Sequence, residues 1–241
     1  MEFRGVPEVY GWDDMGEPIM MEYAIPCRKC HGGLEDRAAR NRDRSGIPYD
    51  YRKKYRDNFR WDLYPADTKK HEKIVNHFID HFSDWSNRGK GLYIFSGTKG
   101  TGKTLLSCVI ANELMALYGI RVKFVLISDL ISQIKQADKE GGVNPIAVYS
   151  DTDVLVLDDM GSTKGNNWLD DSLFRILDSR MHSKKVTIIT SNLPFDKLPH
   201  DERVTNRVYE CCIPVKLPDI SIRTKQAEAD NRSFLQEIGL I

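Results

Sequence analysis

The sequence lacks the features that would place it in a membrane or among disulfide-bonded secreted proteins. Its five cysteines, Cys27, Cys30, Cys108, Cys211 and Cys212, are odd in number and irregularly spaced, unlike a disulfide framework. No apolar run approaches the roughly 20 residues needed to cross a bilayer, and the first residues are too acidic and too interrupted by Pro and Gly for a signal peptide. We therefore expect a soluble, cytoplasmic protein in a reducing compartment.

The chain as a whole also lacks net charge, internal repeats and low-complexity tracts. Its 35 Lys and Arg residues balance 35 Asp and Glu residues, which argues against a general polyanion- or polycation-binding role. Basic residues are nevertheless concentrated in residues 28–60, and residues 1–60 have little helical periodicity. We predict a small N-terminal extension over residues 1–60 and one domain over residues 61–241.

From residue 67 onward, apolar residues follow helical and strand patterns in alternation. Ile74, Val75, Phe78, Ile79 and Phe82 predict one helix over residues 67–85. Strand-like runs begin at residues 92, 122, 154, 186 and 212, and helices are predicted over residues 103–118, 129–137 and 169–181, with a helical turn near residue 202 and a last helix over residues 221–236. This order indicates an α/β fold with a five-stranded parallel sheet flanked by helices, and the last helix is too short to form a multi-helix lid.

A phosphate-binding pattern directly follows the first of these strands. Residues 97–104 read GTKGTGKT, a complete G-x-x-x-x-G-K-[ST] sequence between a predicted strand and a predicted helix. The glycines let successive backbone N–H groups turn toward phosphate, and the helix N-terminus adds a favourable field. We expect Lys103 to reach the β- and γ-phosphates and Thr104 to give its hydroxyl to Mg²⁺. The predicted nucleotide-binding residues are Gly97, Thr98, Lys99, Gly100, Thr101, Gly102, Lys103, Thr104 and Leu105.

Two carboxylates end the buried strand that starts at residue 154. The run VLVLDD places Asp158 and Asp159 at the carboxyl end of a parallel strand, where α/β proteins bind ligands. Asp158 is the candidate for the Mg²⁺ side, and Asp159 for orienting or deprotonating the attacking water. Many proteins with this motif have Glu at the second position. Asp159 is one methylene shorter and positions the attacking water less well, so we expect slow intrinsic hydrolysis.

Polar residues elsewhere in the chain extend this candidate site. Asn192 ends another strand and can orient water against the γ-phosphate, although Ser-Asn before Leu-Pro is also a turn signal. Arg203 and Arg207 are four residues apart and share one helical face. These arginines are either solvated surface residues or an arginine finger that completes a neighbouring subunit's site.

Taken together, GTKGTGKT, VLVLDDMG, IITSN, ERVTNRVYE and SIRTKQAEAD resemble the AAA+ ATPases of the DnaC/DnaI replicative helicase-loader group and their IstB-like ATP-binding relatives. The similarity covers about residues 45–235. It implies an AAA+ core with a reduced C-terminal lid that binds ATP and Mg²⁺. The implied roles are Walker A for Lys103 and Thr104, Walker B for Asp158 and Asp159, sensor 1 for Asn192, arginine finger for Arg207 with Arg203 beside it, and sensor 2 for Arg223.

The resemblance also implies partners. It predicts an ATPase that assembles beside copies of itself and places a hexameric replicative helicase on single-stranded DNA, with the helicase contact in the N-terminal extension. Two alternatives remain open: a transposition helper ATPase that shares the same motifs, and a nucleotide-sensing adaptor with little hydrolysis.

Metal and DNA contacts are predicted less directly. Cys27 and Cys30 offer half of a zinc site that His77 and His81 could complete, against the simpler interpretation of free thiols and a solvated histidine pair. Candidate single-stranded DNA surfaces are Lys123 with Phe124, Lys135, the loop at residues 161–168, and the basic, aromatic segment at residues 37–60, because such binding needs cations and aromatic faces.

Overall fold

A computed structural model of the chain describes residues 8–12, 18–21, 32–65, 67–140, 144–163, 165, 167–238 and 240. Near the N-terminus, β1 (Glu8–Trp12) and β2 (Pro18–Met21) form an antiparallel pair that the sequence did not predict. The remaining strands are β3 (Gly91–Phe95), β4 (Val122–Leu126), β5 (Val154–Met160), β6 (Val186–Ser191) and β7 (Cys212–Lys216). They form one parallel sheet in the order β4-β5-β6-β3-β7, as the alternating pattern predicted.

Helices connect the strands and cover both faces of this sheet. They are α1 (Gly32–Arg44), α2 (Lys69–Asp80), α3 (Phe82–Asn87), α4 (Lys103–Tyr118), α5 (Ile127–Glu140), α6 (Pro145–Asp151), α7 (Asn167–His182), α8 (Glu202–Cys211) and α9 (Ile222–Glu237). The predicted helical turn near residue 202 is thus a ten-residue helix, and α6 was not predicted. Three-residue 3₁₀ turns at Tyr49–Tyr51, Arg56–Asn58 and Trp61–Leu63 lie between α1 and α2.

Alternate residues of each strand enter two separate cores, because successive side chains of a strand point to opposite faces. In β3, Leu92 and Ile94 pack with α2 and α4 on one face, whereas Tyr93 packs with α5, α7 and α8 on the other. Strands buried on both faces read as continuous apolar runs, which is why β5 and β6 were recognisable in the sequence.

The N-terminal segment contains a helix that the sequence analysis did not predict. In α1, Ala38 is buried, and the Asn41 amide donates to the carbonyl oxygens of Gly119 and Ile120 at 3.0 and 2.8 Å. Charged and polar residues make up most of the α1 sequence, so its few apolar residues give little periodic signal. Farther along, Ile47 and Phe59 belong to the core around α4, and the division at residue 60 stays a prediction.

The single helix predicted over residues 67–85 is two helices, so that prediction was wrong in this detail. The chain turns at His81, between α2 and α3. The Tyr118 hydroxyl lies within hydrogen-bond distance of the carbonyl oxygens of Ile79 and Asp80, at 2.8 and 3.0 Å. A partner from α4 therefore satisfies carbonyls that the end of α2 leaves free, which apolar periodicity cannot reveal.

The adjacent cysteines Cys211 and Cys212 lie on either side of a helix-to-strand boundary. Cys211 is the last residue of α8 and Cys212 the first of β7. Their sulfur atoms are 3.6 Å apart, and both side chains are buried as free thiols. The helix-to-strand transition, rather than strand alternation, sets their directions.

Within the described part of the chain, no helix has the length and apolar character needed to span a lipid bilayer.

Candidate nucleotide-binding site

The loop at residues 97–102 connects β3 to α4 and has the backbone conformation of a phosphate cradle. Gly100 and Gly102 have φ angles of +75° and +87°, in the left-handed region that favours glycine. A Cβ at Gly100 would lie 2.7 Å from the Ser221 Oγ, so α9 also requires a glycine there. Helix α4 begins at Lys103. The free N–H groups at the N-terminus of this helix therefore point toward the loop.

Segments from both ends of the domain hold this loop. The Tyr64 hydroxyl donates to the carbonyl oxygen of Thr101 at 2.5 Å, and burial raises the pKa of Tyr64 to about 12. From the other side, the Arg223 backbone N–H donates to the carbonyl oxygen of Gly100 at 3.0 Å. The loop therefore depends on residues far away in sequence.

A carboxylate holds the start of the loop. The Asp219 Oδ1 accepts hydrogen bonds from the Ser96 hydroxyl and from the Gly97 N–H, both at 2.7 Å. The Gly97 N–H is thus hydrogen-bonded to Asp219. Of the predicted nucleotide-binding residues, Gly97 and Thr98 are not among those that line the cavity described below.

Lys103 lies under the loop that it is predicted to serve. Its ammonium donates to the Thr98 carbonyl oxygen at 2.9 Å and to the Thr101 hydroxyl at 3.3 Å. Burial lowers the pKa of Lys103, and the carboxylates of Asp159 and Asp158 act in the opposite direction. The ammonium therefore donates to oxygens of the loop itself, and phosphate oxygens would have to replace them.

Asp158 and Thr104 form an oxygen-only donor set at the end of β5. The Thr104 hydroxyl donates to Asp158 Oδ2 at 3.1 Å. Asp158 is 3% exposed, and this burial raises the pKa of its carboxyl while hydrogen bonds from Thr190 and Thr104 oppose the shift. A carboxylate and a hydroxyl are ligands that suit Mg²⁺, so the residues present fit the ion.

Asp159 lies next to Asp158 in an unusual backbone conformation. Its φ is +61°, which is uncommon for a residue other than glycine. The Asn192 amide donates to Asp159 Oδ1 at 2.9 Å. This hydrogen bond links the ends of β5 and β6 and joins the residues predicted as Walker B and sensor 1.

A cavity of about 440 Å³ brings most of the predicted residues together. Lys99 to Leu105, Asp158, Asp159, Asn192 and Arg223 line it. Tyr51, Asn58 and Leu63 line it from the N-terminal side, and the buried Asn112 amide of α4 fixes that segment by donating to the carbonyl oxygens of Tyr51 and Lys54 at 2.7 and 2.8 Å. A phosphate loop beside a partly apolar wall fits a nucleotide with its base against the wall.

Arg203 and Arg207 are not among the described residues that line this cavity. Arg207 forms ion pairs with Asp178 and Glu210 at 2.9 and 2.8 Å. Arg203 pairs with Asp171 at 3.0 Å and with Asp201 at 2.8 Å, and both guanidinium groups lie over the Phe174 ring. Within one chain, these arginines are bound on the surface of α7 and α8.

The predicted zinc and DNA residues are only partly placed. Cys27 and Cys30 lie outside the described residues, and across the described part no group of three or more His, Cys, Asp or Glu side chains could hold a metal. His77 and His81 stack on each other with ring centroids 4.4 Å apart. Phe124 is buried and cannot stack on a base, so its predicted DNA role was wrong.

The fold and this site define an ATP-binding protein with an AAA+ P-loop core. The family model for IstB-like ATP binding proteins matches residues 67–213, more than half of the chain. The chain belongs to the IstB-like ATP-binding family.

Curated relatives carry two kinds of name. Replicative helicase loader DnaI of Bacillus subtilis is 31% identical over 130 residues, which cover 52% of this chain and 40% of DnaI. Replicative helicase loader DnaC of Escherichia coli K12 is 31% identical over 121 residues, covering 48% of this chain and 49% of DnaC. The insertion sequence IS5376 putative ATP-binding protein of Geobacillus stearothermophilus is 30% identical over 154 residues, covering 63% and 56%. The chain thus spans about half the length of the curated relatives it matches.

A crystal structure of DnaI shares the fold. It has a TM-score of 0.63 and 24% identity, and the match covers 72% of this chain and 96% of that one.

Sequence reasoning missed several residues that shape the site. Tyr64 and Asp219 contact the phosphate loop from 37 and 122 residues away, and no local pattern marks them. Thr190 appeared only within the motif IITSN, and its position one strand over from Asp158 is the signal that could have singled it out.

Proposed function

We propose that this protein hydrolyses ATP. The observation that carries the proposal is the convergence of Lys103, Thr104, Asp158, Asp159 and Asn192 on one cavity. Phosphoryl transfer needs positioned cations and carboxylates more than covalent chemistry, and this set supplies both.

Each residue has a distinct task in this proposal. Thr104 and Asp158 would hold Mg²⁺, which supplies charge neutralisation at the β- and γ-phosphates. Lys103 binds the phosphate oxygens, and Arg223, which lines the cavity, contacts the γ-phosphate as sensor 2. Asn192 orients the Asp159 carboxylate, which takes the proton of the attacking water. The short Asp159 side chain makes intrinsic hydrolysis slow, and partners stimulate it.

We propose further that Arg207 acts in a neighbouring copy of the chain. It must then give up its ion pairs with Asp178 and Glu210 and bind the γ-phosphate in the neighbour's site. Assembly therefore costs two ion pairs and gains a charged contact to phosphate. Mixing Arg207→Ala with Lys103→Ala protein tests this. The mixture should regain part of the hydrolysis that each variant lacks, because some interfaces pair an intact loop with an intact arginine. Rates that stay at the sum of the separate variants would contradict the exchange. Comparison of Arg207→Ala with the double variant Arg203→Ala/Arg207→Ala shows whether Arg203 can replace Arg207.

The activity would serve to load a hexameric replicative helicase onto single-stranded DNA. Similarity to relatives named replicative helicase loaders supports this. Size-exclusion chromatography with light scattering of the protein and the replicative helicase of its own genome, with and without ATP, tests it. We expect co-elution that Lys103→Ala weakens, and separation under all conditions would contradict loading.

The N-terminal extension at residues 1–60 is the proposed helicase contact. Deletion of residues 1–31 removes about half of it and retains α1 and the core residues from Ala38 onward. The shortened protein should keep ATP binding and lose co-elution.

A second candidate is a helper ATPase in transposition. The IS5376 relative and the family's description favour it. Co-elution with a transposase encoded nearby, and not with the helicase, would select this function. ATP binding without measurable turnover, with or without either partner, would instead select a nucleotide-sensing adaptor.

A further inference from the structure

Strand β5 contains an irregularity at its two carboxylates. It pairs with β6 in regular register up to Leu157 opposite Ile189, but Met160 then lies opposite Ser191. One extra residue is therefore accommodated between Leu157 and Met160. Such a bulge takes a backbone N–H out of the sheet ladder, and this N–H needs another partner.

The Thr190 hydroxyl is that partner. The Asp159 N–H donates to Thr190 Oγ1 at 2.9 Å, and the same hydroxyl donates to Asp158 Oδ1 at 2.6 Å. A hydroxyl has one donor and two acceptor positions, so it satisfies both groups at once. Thr190 is 1% exposed, which leaves it little contact with solvent water.

We propose that Thr190 is a positioning residue for both carboxylates of the ATP site. It fixes the rotation of the Asp158 carboxylate, whose other oxygen bonds Thr104, and it supports the left-handed backbone of Asp159. The inference rests on the proposed ATP hydrolysis and gives a role to a residue that none of the Walker, sensor or arginine-finger assignments includes.

The series of hydrogen bonds from Thr104 to Asp158 and from Thr190 to Asp158 explains why position 190 matters for Mg²⁺. The Thr104 hydroxyl can donate its proton to Asp158 and keep an oxygen lone pair for the ion. Thr190 holds the far side of the same carboxylate. Without the Thr190 hydroxyl, Asp158 Oδ1 and the Asp159 N–H both lose their partner, and the carboxylate can turn away from the ion.

Thr190→Val tests the proposal because it keeps the side-chain shape and removes the hydroxyl. Thr190→Ser retains the hydroxyl and serves as the rescue. Ser191→Ala is the matched control, since Ser191 is an equally buried hydroxyl of β6 that donates to the Met160 carbonyl oxygen and contacts neither carboxylate. The affinity for a fluorescent ATP analogue is measured in EDTA and through a Mg²⁺ titration, beside single-turnover hydrolysis and thermal unfolding.

We expect Thr190→Val to bind the analogue normally in EDTA. The Mg²⁺ concentration that gives half of the affinity increase should rise about tenfold, and hydrolysis should fall about ten- to a hundredfold, the effect of losing a hydrogen bond to a charged group. Thr190→Ser should stay close to the unmodified protein. Ser191→Ala should lose some thermal stability and keep the Mg²⁺ dependence.

An unchanged Mg²⁺ dependence in Thr190→Val, or an equal shift in Ser191→Ala, would overturn the positioning role. If the valine variant does not fold, Thr190→Ala removes the same hydroxyl and is expected to give the same Mg²⁺ shift. Failure of the proposed function is distinguishable, because the unmodified protein would then bind the analogue without turning it over, or not bind it at all.

Discussion

Replacing Asp219 by alanine is expected to weaken ATP binding, although Asp219 itself is not among the residues predicted to bind phosphate. Asp219 Oδ1 accepts the Ser96 hydroxyl and the Gly97 N–H, both at 2.7 Å, at the start of the phosphate loop. Loss of these bonds lets the loop adopt conformations that do not bind phosphate. Apparent affinity then falls with the fraction of molecules that remain competent.

The size of the effect follows from the two bonds. A hydrogen bond to a charged group contributes about 1.5 to 3 kcal/mol, but the Asp219 side chain is 47% exposed, so we take about 1 kcal/mol for each. Together they amount to about 2 kcal/mol, or roughly a thirtyfold upper limit. Because Tyr64 and the Arg223 N–H still hold the rest of the loop, we expect a loss of about five- to thirtyfold.

Titration of a fluorescent ATP analogue measures this change. Lys216→Ala is the matched control, because the Lys216 ammonium is 3.6 Å from Asp219 Oδ2 and, within the described part of the chain, makes no hydrogen bond to the loop. An exposed pair of this kind contributes at most about 1 kcal/mol. Equal losses in Lys216→Ala and Asp219→Ala, or full affinity in Asp219→Ala, would refute the reasoning.

The same contact predicts a pH dependence. The hydrogen bonds from the Ser96 hydroxyl and the Gly97 N–H lower the pKa of the Asp219 carboxyl in the folded protein. Its contribution to stability is therefore complete above the unfolded pKa of about 3.9 and is lost as pH falls through the lower folded value. The difference in unfolding free energy between the unmodified protein and Asp219→Asn should be constant from about pH 8 to pH 5 and shrink below about pH 4.

Three further changes have defined outcomes. Lys103→Ala should abolish measurable ATP binding, whereas Lys99→Ala, which removes an exposed cation of the same loop, should weaken it only a few-fold in the same titration. Gly100→Ala should also weaken binding at least tenfold, because its φ of +75° strains any other residue and its Cβ would lie 2.7 Å from a hydroxyl of the α9 N-terminus; normal affinity would show that the loop and α9 can separate freely. Arg180→Met should destabilise the fold by about 3 kcal/mol or more in urea unfolding, since this buried guanidinium donates to carbonyl oxygens in the last turn of α6, just before β5 and at the start of β6. The exposed Arg175→Met should change the unfolding free energy by less than about 0.5 kcal/mol.

Local chemistry made much of the site predictable. The glycines and Lys103 act within one turn between a strand and a helix, so their spacing is visible in the sequence. Asp158 and Asn192 end buried apolar runs, and parallel strands bring such ends to one edge of a sheet. The same alternation of apolar runs predicted all five strands of the sheet.

Contacts between distant segments were not predictable in the same way. The turn at His81 depends on Tyr118 of another helix, and Asn41 anchors α1 to carbonyl oxygens just after the end of α4. The ion pairs that engage Arg207 come from α7 and from the following turn of α8, and helical spacing alone gave only a shared face. These features arise from hydrogen bonds and charges whose partners have no fixed sequence separation.

The sequence by itself determined the parallel α/β sheet and the phosphate loop, because apolar periodicity and glycine spacing are local properties of the chain. Only the tertiary structure decided how that loop is held. Tyr64, Asp219 and the Arg223 N–H meet it from both ends of the domain. The bulge at Asp158 and Asp159 likewise becomes visible only when β5 is paired with β6, which contains Thr190. A hydrogen bond between two strands depends on how the strands are aligned, and their amino-acid composition does not reveal that alignment.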